Sequence, residues 1–127
     1  MAITYDLDKF TIAYIECALW SSSEYDVDEN SGPLDENYSL FDLTEEALAT
    51  MKRDCLNFRA YVSDTVGVEE AKQVDCERGG HDFWLTRNHH GAGFWDGGWK
   101  DGDALTRAAK TFGTCDLYVH EGKVCVS

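Results

Sequence analysis

Apolar positions recur at three- and four-residue steps in three separate windows of the chain. From Asp8 to about Trp20, one helical face collects Phe10, Tyr14, Cys17, Ala18 and Ser21, with Asp6 or Asp8 as the cap. A second, longer helix starts at Asp42 or Thr44, where Asp42-x-x-Glu45 resembles a capping box. Its stripe runs through Leu48, Met51, Cys55, Phe58 or Arg59, Val62 and Val66, and Gly67 ends it. The third follows Asp101 or Asp103, buries Leu105, Ala108, Ala109 and Phe112, and stops at Gly113.

Elsewhere the period is two. HDFWLTRN (81–88) alternates, with Phe83, Leu85 and Arg87 on one side and Asp82, Trp84 and Thr86 on the other, which predicts a strand. GAGFWDGG (91–98) supplies its partner across the turn Asn88–Gly91. DLYV and KVCV, joined by His120-Glu121-Gly122, predict a second hairpin. Ser21–Asn37 is a polar loop with the chain's one proline, Pro33; Tyr38–Leu43 forms a short turn, and Val68–Glu77 is a short helix or a loop. The expected class is therefore α+β: about three helices packed on a small antiparallel sheet built from two hairpins, in a single domain of 127 residues.

Composition adds a compartment. The apolar runs are short and interrupted, and MAITYDLDKF has neither a basic start nor an apolar stretch, so no membrane span and no secretory leader are expected. The five cysteines are odd in number and contain no C-x-x-C pair. Cys17 and Cys55 fall in apolar helical patterns, as buried thiols of a reducing cytoplasm do.

Charge changes the picture most. The net charge is -13. Residues 1–51 carry twelve carboxylates against the single base Lys9, whereas residues 52–127 carry twelve against ten bases. No Lys or Arg occurs between Phe10 and Met51. Such a surface repels nucleic acid, because phosphate binding requires cations, and it attracts basic proteins. The candidate partner-binding residues are Glu24, Asp26, Asp28, Glu29, Asp35, Glu36, Asp42, Glu45 and Glu46, with Glu16 on the first helix. Plain solubility is the competing explanation of the same charge.

Other chemistries are weaker. His81, His89 and His90 with Asp82 and Asp96 suit a metal by residue type, but their spacing matches no metal motif, and no cofactor is expected. Asp26-Val27-Asp28-Glu29-Asn30 begins like a calcium loop, then places Ser31 where the turn glycine belongs and Asn37 where the bidentate Glu belongs. His81, Arg87, Asn88, His90 and Asp96 form an alternative ligand or catalytic set, in which Arg supplies a donor fork and His titrates near neutrality. The competing role for Arg87 is pairing with a carboxylate or stacking on an indole. The Trp-rich composition suits a core better than a base-stacking platform.

HDFWLTRN followed by HGAGFWD resembles a block in small acidic proteins encoded by bacteriophages and other mobile elements. IECALWSS (Ile15–Ser22), PLDENYS (Pro33–Ser39) and DLYV extend the resemblance in the same order. The chain departs from the pattern at His89, where a glycine is expected after Asn88. The resemblance implies a phage or mobile-element origin and action in the host cytoplasm, where small proteins that disarm host machinery are expected. Together with the charge, it leads to a non-enzymatic accessory protein. It would bind and modulate or inhibit a basic, nucleic-acid-handling host or phage protein, by mimicking DNA, in host takeover or defence evasion. The alternative is a small enzyme or ligand-binding protein using the 81–96 cluster.

Overall fold

The computed structural model describes residues 7–22, 34–90, 92–96 and 98–127. Within them lie five helices, α1 (Lys9–Ser21), α2 (Glu45–Thr65), α3 (Val68–Val74), α4 (Glu77–Arg87) and α5 (Gly102–Lys110). Short 3-10 turns occupy Leu34–Glu36 and Leu40–Asp42. One antiparallel hairpin closes the chain, β1 (Leu117–His120) with β2 (Lys123–Val126).

This overturns the expected class of three helices on a sheet of two hairpins. The stretch read as the first strand is α4, and the described part of GAGFWDGG forms turns. The physical reason lies in burial. Alternation marks a strand only where one face is wet, and in α4 every residue from Asp82 to Arg87 is buried. The polar residues that imitate a wet face each have an internal partner. Asp82 Oδ2 accepts from Trp99 Nε1 at 2.7 Å, and Thr86 Oγ1 accepts from the Phe94 N–H at 3.0 Å. Arg87 donates to four groups.

The glycine pair ahead of this stretch explains how α4 gets so close to α1. A Cβ on Gly80 would run into the Phe10 carbonyl oxygen, so the two helix backbones touch where any other residue would hold them apart. The expected tight turn at Asn88–Gly91 is instead the end of α4. His89 donates to the Thr86 carbonyl at 3.2 Å and His90 to the Leu85 carbonyl at 3.0 Å, while His89 takes φ 60°. That bonding is a Schellman cap with His89 at the left-handed position.

The other helices follow their patterns. Asp8 caps α1, accepting from the Thr11 N–H at 2.8 Å. Thr44 caps α2 through the Ala47 N–H at 3.0 Å. Asp42 does not cap α2; its carboxylate accepts the Ser39 N–H at 2.8 Å inside the preceding turn. Leu48, Met51, Cys55, Phe58 and Val62 are buried along α2, as are Leu105, Ala108 and Ala109 along α5. The hairpin turns through Glu121 and Gly122 at φ 53° and 78°, as a two-residue turn between right-twisted strands requires. Thr44 N–H donates to Val124 O at 3.0 Å, fixing the hairpin to the start of α2.

Between these elements lies an aromatic core of Phe10, Tyr14, Phe58, Phe83 and Phe94, all fully buried. Phe58 and Phe83 stack at 4.1 Å between centroids and 10° between planes. Among the described residues no helix is long and apolar enough to cross a membrane.

Candidate protein-binding face

On α1 the residues Ala13, Glu16, Cys17 and Trp20 follow one another at three- and four-residue steps and form one wall of a groove. The opposite walls are the 38–41 turn and the first turns of α4. The groove encloses about 760 Å³. Trp20 and Phe41 stand in it 56% and 67% exposed. The Ser39–Asp42 capping box holds the turn that presents Phe41. His81 also lines the groove, its ring tilted against Trp20 at 6.4 Å and its Nδ1 3.3 Å from Asp82 Oδ1. Arg78, the base among the lining residues, sits over the Trp99 ring at 4.6 Å with Nε 3.9 Å from Asp82 Oδ2.

The acidic candidates divide by position. Glu24, Asp26, Asp28 and Glu29, with the calcium-like stretch, lie outside the described residues. Asp35 and Glu36 belong to the first 3-10 turn. Glu36, Glu45 and Glu46 are exposed, and Glu45 and Glu46 occupy the first turn of α2, where the helix dipole favours negative charge. Asp42 is half-buried. Glu16, Glu36, Glu45 and Glu46 take part in no ion pair among the described residues.

Two arginines of the rear half, Arg59 and Arg87, instead turn onto internal carboxylates, while Arg53, Arg78 and Arg107 are exposed. Arg59 Nη1 pairs with Asp8 at 2.8 Å and Asp75 at 2.9 Å, and Arg87 pairs with Asp54 at 2.9 Å. Burial works against the charge of both, but their carboxylate and, for Arg87, Tyr14 partners outweigh it and hold both guanidinium pKa values above the ordinary one.

The alternative set of His81, Arg87, Asn88, His90 and Asp96 is not gathered in one place. His81 faces the groove. Arg87 is buried and spent on Asp54, Tyr14 and the Phe112 and Gly113 carbonyls. Asp96 is exposed and accepts the Gly93 N–H at 3.0 Å. Asn88 and His90 do share a second cleft, of about 730 Å³, with Ser21, Trp84, Asp116 and Tyr118. The Asn88 amide is engaged there, donating to Trp84 O at 3.1 Å and accepting from the Cys115 N–H at 2.7 Å. Among the described residues no group of three or more His, Cys, Asp or Glu side chains is placed to share a metal ion.

Sequence reasoning missed Trp20, Phe41 and Glu77. A partial signal existed for Trp20, which lies off the Phe10–Tyr14–Ala18 stripe, as does the buried Leu19. Phe41 carried none, because its exposure is set by a turn. Comparison with protein-family models, curated proteins and solved structures finds no match to this chain.

Proposed function

We propose that this chain is a small acidic binding protein of phage or mobile-element origin. It captures a cationic, nucleic-acid-handling protein of the host cytoplasm and blocks or modulates it, its carboxylates standing in for phosphates. The observation that carries this reading is the fate of two cations in a chain whose net charge is already -13. Arg59 and Arg87 are consumed by internal carboxylates, while Glu16, Glu36, Glu45 and Glu46 face solvent without partners among the described residues. Exposed carboxylates on a chain of net charge -13 steer a basic partner and repel nucleic acid. The resemblance of the 81–96 block to mobile-element proteins supports the biological setting.

The test is capture from host lysate by the whole protein at about 50 mM and about 500 mM salt, with mass spectrometry of what elutes. A specific basic protein should be retained at low salt and released at high salt. Reversing Glu36, Glu45 and Glu46 to Lys should abolish capture while leaving the circular dichroism spectrum unchanged. Capture that survives the reversal, or that ignores salt, would count decisively against the reading.

A further inference from the structure

Charge steers an encounter but does not anchor it; anchoring needs apolar area that becomes desolvated on contact. The two most exposed aromatic side chains among the described residues, Phe41 and Trp20, line one groove. A water-exposed indole and phenyl facing a shared concavity are unfavourable left as they are, and they form a ready contact for a partner. The acids of the groove, Glu16 and Glu77, are exposed and in no ion pair among the described residues. Its base, Arg78, is held by Trp99 and Asp82. The walls from α1 and the 38–41 turn come from the stretch of chain that contains no Lys or Arg. An occupant must therefore bring apolar side chains for Trp20 and Phe41 and cations for Glu16 and Glu77. Aromatic faces also accept Arg and Lys directly, and they reject anions.

We infer that this groove docks a basic amphipathic segment of the partner protein, with bulky aliphatic or aromatic anchors flanked by Lys or Arg. The inference rests on the proposed function and adds to it where and how the partner is gripped. A volume of about 760 Å³ suits a few bulky side chains laid along one face of a helix. Glu77 opens α4 and Glu16 projects from α1, so the acids flank the apolar floor from two elements.

The probe is a synthetic Lys/Leu amphipathic peptide of about 14 residues, near four helical turns. It is titrated into the whole protein by calorimetry and by NMR of the Trp20 indole N–H, assigned with Trp20→Phe. The Lys/Leu peptide should bind and shift that resonance. Trp20→Ala and Phe41→Ala should each weaken binding by about tenfold or more, as loss of an anchor contact does. Leu56→Ala, an exposed apolar site on α2, should change nothing. A Lys/Ser peptide of equal charge should bind about tenfold more weakly or worse. All three substituted side chains are exposed, and circular dichroism checks that each variant is folded.

Equal binding of the Lys/Ser peptide, with no effect of either aromatic substitution, overturns the docking inference and leaves the charge-based function standing. Binding that leaves the Trp20 resonance unmoved, because the occupant sits elsewhere or the chain's own residues 23–33 fill the groove, overturns it too. Failure of every cationic peptide to bind at low salt sinks both.

Discussion

Arg87 of α4 donates to the Asp54 carboxylate of α2 at 2.9 Å, with 5% of the arginine side chain and 20% of the aspartate side chain exposed. The same guanidinium reaches the Tyr14 hydroxyl on α1 at 2.9 Å and the Phe112 and Gly113 carbonyls beyond α5 at 2.9 and 2.8 Å. One cation thus ties three helices and the segment after α5 together at the edge of the aromatic core, over the rings of Phe83 and Phe112. Its planar fork suits four divergent acceptors, and an ammonium cannot reproduce it.

Arg87→Met should therefore destabilise the protein by about 3–5 kcal/mol, because it strands a largely buried carboxylate and two carbonyls. Arg87→Lys should recover little of that loss. Urea unfolding of both variants measures it. Pairing Arg87→Met with Asp54→Leu should restore part of the stability, since the stranded charge is then gone. A near-neutral Arg87→Met would show that the guanidinium is not the tie its geometry makes it.

Gly80→Ala isolates the α1–α4 crossing. In an ordinary helix the change gains about 1 kcal/mol of propensity. Here the new methyl overlaps the Phe10 carbonyl oxygen, a backbone atom that cannot rotate aside. Overpacking of this kind costs about 1–3 kcal/mol or more, so the clash wins. The variant should melt below the parent by several degrees in a calorimetric scan, at about 3–5 °C for each kcal/mol in a domain of this size.

Where the fold could be read in advance, a wet face and a dry face coexist on one element. The α2 stripe from Leu48 to Val62 is buried while Arg53, Leu56 and Asn57 face out, and period 3.6 survives in the letters. The 117–126 hairpin was legible because Glu121-Gly122 supplies two positive φ angles between apolar runs. The α4 stretch was not legible. Enclosure erases amphipathic periodicity, and its polar residues serve partners as distant in sequence as Tyr14 and Trp99. The acidic bias of the candidate face lay open in composition. Its groove did not, because Trp20, Phe41 and His81 meet only through the α1–α4 packing.

Acid should loosen the Asp8–Arg59 pair. Burial alone would raise the Asp8 carboxyl, but hydrogen bonds from Thr11 and the Arg59 cation outweigh it and leave the pKa below its ordinary 3.8. A carboxyl depressed in the folded state stabilises fully above its unfolded value and loses that contribution as pH falls through the folded one. Asp8→Asn retains a good cap but loses the ion pair. With 46% of the Asp8 side chain exposed, the deficit at pH 7 should stay below about 1 kcal/mol. It should fade as the pH falls below the ordinary 3.8 and through the depressed folded value, where the parent carboxyl is itself protonated. Urea midpoints from pH 2 to 7 would show the two curves converging on the acid side; parallel curves would refute the linkage.

Thiol reactivity should sort the five cysteines by burial. Burial, followed by the charge of Asp82, pushes Cys17 up to about 12, and burial likewise raises Cys55 and Cys115. Cys76 and Cys125 are only half-buried. Brief iodoacetamide treatment at pH 8 should alkylate Cys76 and Cys125 in the native protein, and all five in denaturant, as counted by mass spectrometry. Native modification of Cys55 would contradict the packing of α2 against α1.

His89 offers the opposite sign, a substitution that should stabilise. It sits at the left-handed position of the α4 cap with φ 60°, where an L side chain costs about 1–2 kcal/mol. Glycine removes that penalty and loses about 0.5–1 kcal/mol through greater freedom of the unfolded chain. The His89 side chain is exposed, so little packing is forfeited. His89→Gly should therefore gain about 0.5–1 kcal/mol in urea unfolding. His89→Val should lose stability, because a β-branched residue tolerates the left-handed region poorly. Should Gly and Val at position 89 prove equally stable, the cap geometry would not be what ends α4.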